Sequence, residues 1–198
     1  MSMERRFFSE PVAVGKDAEG RTYAEGYAAV FGARSEDLGG FVEVVERGAF
    51  DGVLSNPATD VRAYLNHEPS LILGRQSSKT LQLAVDDKGL RYRALLPDTT
   101  YARDLAVVME RGDVRESSFA FNVAQDGGDT WEERDGVIIR RVRAVNRLYD
   151  VSVVALPAYP ATDAAVAQRS FKHWRENHAQ APRLASARRR TRLLALEG

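Results

Sequence analysis

The sequence predicts a mainly β protein, a closed or nearly closed β-barrel with a few flanking helices, followed by a basic C-terminal tail. Three observations predict it. Short runs of alternating apolar and polar residues, divided by turn residues, recur up to Leu156. One segment between them has sustained helical periodicity. After Pro160 the composition shifts towards Ala and Arg.

The elements follow in order. Lys16-Asp17-Ala18-Glu19-Gly20 reads as a turn, and Arg21–Phe31, rich in Tyr, Ala and Val, reads as a strand. Phe41–Glu46 is a second strand-like run, and Phe50–Leu54 suits a short helix. Val61–Leu65 reads as a buried strand that delivers His67 at its end. The clearest hairpin is Lys79–Leu96: Leu81, Leu83 and Val85 alternate with polar residues, Asp86-Asp87-Lys88-Gly89 turns the chain, and Leu90, Tyr92, Ala94 and Leu96 alternate on the return. Thr99 or Thr100 can cap a helix whose apolar residues Ala102, Leu105, Val108 and Met109 recur at helical spacing, and Gly112 ends it. Arg115–Ala124 returns to strand alternation. Thr130–Val145 forms a hairpin around Asp135-Gly136, and Leu148–Leu156 is a β-branched run stopped by Pro157.

This organisation predicts a domain over residues 1–165 and a tail over 166–198. Asp163–Trp174 suits a helix, and Ala179–Glu197 suits a helix or an arm that orders on binding. The formal net charge is zero, yet Arg169–Gly198 holds eight Lys or Arg against two Glu, a balance of +6. The first 168 residues therefore carry −6. Such asymmetry marks a segment with its own partner or fate, or simply a solvated helix.

Composition narrows the chemistry. The chain has no cysteine, so thiolate catalysis, disulfides and sulfur-ligated zinc are excluded. No apolar run reaches the roughly 18 residues of a membrane span, and the N-terminal residues lack the apolar stretch of a secretory signal. A cytoplasmic protein without a membrane partner is the default expectation. Walker and Rossmann spacings are absent, Asp86-Asp87 and Asp126–Asp129 look like solvated turns, and neither cofactor nor metal is expected. Arg188-Arg189-Arg190 lacks interleaved aromatics, so nucleic acid is not the expected partner.

Hydrolysis without metal or thiol needs an oxygen nucleophile and a base titrating near working pH, for which histidine is best suited. Of the three histidines, His173 and His178 lie in the basic segment, which leaves His67 in the body of the domain. His67 stands where a strand meets a turn, at a cleft rim if catalytic or simply as a turn histidine. Ser117 and Ser118 are separated by strand periodicity. Ser117 points with Phe119, Phe121 and Val123 towards the core, and Ser118 points with Ala120 and Asn122. Ser118 is the better nucleophile candidate, although both also fit as ordinary strand serines. Asp150 heads a buried strand, and a buried carboxylate requires a partner. That partner is His67, Arg147 or Arg143. Gly74-Arg75 offers amides or a guanidinium to an oxyanion, but such pairs are common in surface turns.

Five segments together resemble the tailed-phage prohead protease family, which is similar in fold and chemistry to the herpesvirus capsid assemblins. They are Gly26–Gly32, Glu46-Arg47-Gly48-Ala49-Phe50, Leu65–Pro69 with Leu73-Gly74-Arg75, Gly112-Asp113-Val114 with Ser118-Phe119-Ala120-Phe121, and Asp150–Val154 with Pro157–Thr162. The likeness runs in order over roughly residues 5 to 165. It implies a serine endopeptidase with a herpesvirus-protease-like fold, with His67 as base, Ser118 as nucleophile and Asp150 as orienting acid. It further implies major capsid protein and scaffold segments as substrates, self-digestion, a place inside the immature shell within the bacterial host, and a homodimer. Two departures stand out: Ser117 replaces the Met often found before the nucleophile, and Asp150 is one methylene shorter than the usual Glu. The competing expectations are a non-catalytic barrel that binds capsid or scaffold, and a nucleic-acid-binding barrel using the arginine cluster.

Overall fold

A computed structural model of the chain describes residues 3–8, 10–155, 166–176 and 178. The Pro157–Thr162 segment, the start of the helix expected from Asp163, and the Ala179–Glu197 arm with its arginine cluster lie outside the described residues.

The strands divide into three sheets. β1 (Glu4–Phe8), β9 (Glu116–Val123), β12 (Val145–Val154), β5 (Arg62–Leu65) and β6 (Ile72–Arg75) form a five-stranded sheet in that order. β2 (Ala13–Lys16), β3 (Thr22–Val30), β8 (Gly89–Leu95) and β7 (Leu81–Val85) form a four-stranded sheet, and β10 (Asp129–Arg134), β11 (Val137–Val142) and β4 (Val42–Val45) a three-stranded one. This corrects the barrel expectation: the described residues are mainly β, but no sheet closes on itself. Local alternation specifies strands, whereas closure depends on which edges find each other.

Local chemistry explains the elements read correctly. Asp135 and Gly136 both have positive φ, 54° and 75°, as a two-residue Asp-Gly turn between β10 and β11 requires. The β7–β8 hairpin turns at Asp86, whose carboxylate accepts the amides of Lys88 and Gly89 at 2.8 and 3.0 Å. Gly89 is obligatory there, because a Cβ would stand 2.0 Å from the Ala29 carbonyl oxygen. The helix over Thr100–Glu110 buries Ala102, Leu105 and Met109, and ends where Gly112 adopts φ 83° and donates to the Met109 carbonyl at 3.0 Å. No helix among the described residues is long and apolar enough to cross a membrane.

The main core lies between the sheets. Phe119 and Phe121 of β9 stack with centroids 4.6 Å apart, and Phe50 meets Phe119 edge-on. Tyr92 and Ala24 from the four-stranded sheet, and Val45 and Val142 from the three-stranded one, complete it. Burying each such phenylalanine contributes about 1.5–3 kcal/mol. A second, smaller core holds residues 166–176, which are helical: Ala167 and Phe171 pack on Leu38 and Phe41, with Trp131 and Trp174 alongside. Trp131 Nε1 also donates to Ser170 Oγ at 3.1 Å.

A buried ionic cluster joins the five- and three-stranded sheets. Arg140 of β11 donates to Glu4 of β1 at 2.7 Å, to Glu43 of β4 at 2.8 Å and to Asp129 of β10 at 2.7 Å. Arg6 of β1 contacts Glu4 at 2.6 Å and Glu43 at 2.9 Å. Burial pushes the Glu43 carboxyl up, but the guanidiniums of Arg6 and Arg140 outweigh it and hold the group below its ordinary range.

Candidate active site

β12 is the organising strand of the site. It pairs antiparallel with β9, placing Ser152 opposite Ser118 and Asp150 opposite Ala120. On its other side it pairs parallel with β5, placing Val153 opposite Leu65. Directly opposed residues share a face, as do residues two apart on one strand. Ser118, Asp150 and Ser152 therefore project together.

β5 supplies the histidine by ending there. After Leu65 the chain turns back: Glu68 N donates to the Leu65 carbonyl at 3.0 Å, Leu71 N to Glu68 at 2.9 Å, and Leu65 N to Leu71 at 3.1 Å. Inside this turn Asn66 and His67 both adopt left-handed backbone conformations, φ 54° and 57°. For non-glycine residues this conformation costs about 1–2 kcal/mol, Asn being among the more tolerant. The Glu68 carboxylate accepts the Ser70 hydroxyl at 2.9 Å and its amide at 3.2 Å, and these bonds lower its pKa. The left-handed step turns the imidazole back over the sheet.

The three residues singled out from sequence meet. His67 Nδ1 lies 2.6 Å from Asp150 Oδ1, and His67 Nε2 lies 2.6 Å from Ser118 Oγ. The side chains of His67 and Asp150 are only 7% and 8% exposed, so the contact is shielded from water. An ionised carboxylate can only accept. The tautomer that satisfies both contacts carries its hydrogen on Nδ1 and offers the Nε2 lone pair to the Ser118 hydroxyl.

The open alternatives for each residue resolve in the same geometry. Ser117 is wholly buried on the other face of β9, where its Oγ lies 2.9 Å from the Tyr92 hydroxyl and so outside the His67 contact. Burial drives the Tyr92 phenol far above its ordinary value, against a smaller lowering by the Ser117 bond, which leaves it a neutral partner. Arg143 Nε lies 3.6 Å from Glu46, and Arg147 sits over the Tyr149 ring at 4.7 Å. Asp150 is therefore matched with His67.

Gly74 and Arg75 stand in strand β6 instead of a surface turn. A Cβ on Gly74 would lie 2.8 Å from the Thr80 carbonyl oxygen, so the glycine serves close backbone approach. Arg75 Nε donates to Asp60 at 2.7 Å. This bond, with further donors from Ser77, lowers the Asp60 pKa to about 2 against the opposing effect of desolvation. Among the described residues, no group of three or more His, Asp and Glu side chains converges as a metal site.

One polar residue at the site escaped the sequence reading. Ser152, wholly buried, donates to Asp150 Oδ1 at 2.8 Å and lies 3.2 Å from His67 Nδ1. Its spacing of two from Asp150 on a strand was the available signal, since it puts both on one face.

A hydroxyl, an imidazole and a carboxylate in series, on a mixed β-sheet, have the connectivity of a serine-hydrolase triad. The model of the caudovirus prohead serine protease family matches residues 11–177, and the chain belongs to that family. Among solved structures, the capsid assembly protease of bacteriophage T4 is similar at 13% identity with a TM-score of 0.47, over 78% of this chain and 98% of that one. No curated protein matches the chain.

Proposed function

We propose that this chain is a serine endopeptidase that cleaves capsid and scaffold protein, and itself, inside the immature head of a tailed phage. The observation that carries the reading is the His67 imidazole bridging Ser118 Oγ and Asp150 Oδ1 at 2.6 Å on each side. Family membership supports the capsid-maturation role.

The geometry suits acyl transfer to water. Neutral His67 takes the hydroxyl proton on Nε2 as Ser118 Oγ attacks the scissile carbonyl carbon. The imidazolium formed is stabilised by Asp150 through Nδ1–H. Nε2–H then protonates the departing amine, which breaks the C–N bond and leaves an ester on Ser118. Water, deprotonated by His67, attacks the ester; the acid product leaves and Ser118 regains its proton. Asp150, with the shorter side chain, reaches His67 directly, because parallel pairing brings β5 beside β12. In this reading the 166–198 segment is a targeting or self-cleaved element, and a homodimer is the working assembly.

The test is coexpression with the capsid-protein gene adjoining this one, read by mass spectrometry. Shortened capsid protein is expected with the unaltered chain and with Ser117→Ala, and full-length capsid protein with Ser118→Ala and with His67→Ala. Cleavage that survives His67→Ala would remove the triad. Intact capsid protein with the unaltered chain would favour a binding role.

A further inference from the structure

Ser152 has no part in the proton transfers above, yet it is wholly buried and sits against two of the three groups that perform them. With Nδ1 bearing hydrogen, the Ser152 hydroxyl cannot donate to His67. Its hydrogen goes to Asp150 Oδ1 at 2.8 Å, and its oxygen faces Nδ1–H at 3.2 Å as a second, weaker acceptor. Oδ1 therefore receives two donors, His67 Nδ1–H and the Ser152 hydroxyl. We propose that Ser152 is a positioning residue that fixes the Asp150 carboxylate, and through it the tautomer and aim of His67. The proposal rests on the triad reading given above.

The backbone makes the role specific. Ser152 lies directly opposite Ser118 in the β9–β12 register and two residues from Asp150. One strand, β12, thus carries the acid and the positioning hydroxyl, and its pairing with β9 sets their spacing from the nucleophile. An aspartate at position 150 has a single rotatable bond before its carboxyl group, but the carboxyl plane still turns freely. A donor from the same strand stops that rotation, in the way outer partners orient the ligands of a metal. The charged groups nearby are otherwise engaged. Glu68, on the histidine turn, is exposed and held by Ser70. Arg62, opposite Asp150 on β5, is directed to Asp60, and Arg147 lies over Tyr149. The charge that acts on His67 is therefore that of Asp150, and Ser152 shares it.

The test reads the rate at which a fluorophosphonate probe labels the purified full chain between pH 5 and 9. Ser152→Ala is expected to label about tenfold more slowly at pH 7, the scale of one hydrogen bond to a charged group. Its acid limb should move to higher pH. Without the hydroxyl the carboxylate charge acts undivided on the imidazolium, so the neutral base forms later. Ser152→Thr keeps the hydroxyl and should keep the wild-type limb. Slower labelling with an unmoved limb, or an unchanged rate, would overturn the proposal, and a melting curve accompanies each variant. If Ser152→Ala does not fold, a shifted limb in Ser152→Thr overturns it instead. Labelling of Ser118→Ala at the wild-type rate would instead condemn the triad itself.

Discussion

Asn66 Oδ1 accepts the amide hydrogen of Ala155 at 2.9 Å, so the residue before His67 closes the end of the strand that carries Asp150. The Asn66 amide also donates to the Val153 carbonyl at 2.9 Å. The segment carrying His67 and the strand carrying Asp150 are thereby fastened together by a third side chain.

Asn66→Ala is expected to destabilise the fold by about 1–2 kcal/mol, from the lost Ala155 bond together with alanine's poorer tolerance of the left-handed backbone, and to slow probe labelling. Asn66→Gly accepts the backbone conformation but loses the clip. It should melt higher than the alanine variant and still label slowly. Thermal melts and labelling rates separate the two effects; equal melting of both variants would show that the backbone conformation costs nothing.

Ser117→Ala should leave labelling within a few-fold of wild type while destabilising by about 1–3 kcal/mol, because the buried Tyr92 hydroxyl loses its partner. Adding Tyr92→Phe should recover most of that loss, since removing both partners orphans neither. Chemical denaturation of the two singles and the double variant measures the coupling.

Arg140→Leu should cost about 3–5 kcal/mol, the range for breaking one side of a buried pair. It leaves Glu4 and Glu43 sharing Arg6 alone inside the sheet junction. Denaturant midpoints give the value; a loss under about 1 kcal/mol would mean that the cluster relaxes into water.

Asp60 predicts an acid-dependent stability. Its folded pKa, about 2, lies below the ordinary 3.8. The Arg75 contact therefore contributes fully above pH about 4, and the contribution fades as pH falls towards 2. The stability difference between wild type and Asp60→Asn should be constant from pH 7 to 5 and shrink below 4. Unfolding curves across that range provide the check, and a difference that grows on acidification would contradict the pairing.

Two of the strands missed in sequence, β1 and β6, were hidden by residue types that point away from a strand. β1 reads Glu4-Arg5-Arg6-Phe7-Phe8, and its charged residues Glu4 and Arg6 are the buried ones. The usual rule that polar residues face water points the wrong way there, since Arg140 and Glu43, which satisfy them, are distant in sequence. β6 was hidden because Gly74-Arg75 has turn composition, and only the approach of Thr80 explains the glycine.

By itself the sequence determined what is local. Alternation on β9 separated Ser117 from Ser118, turn chemistry placed the two hairpins, and elimination left His67 as the candidate base of the domain. Tertiary structure alone decided that β5 lies parallel to β12, that the sheets stay open, and that Ser152 completes the contact around Asp150. The physical reason is range: side-chain direction follows from one strand's own pleat, whereas strand partners are chosen by packing and loop closure across the whole chain.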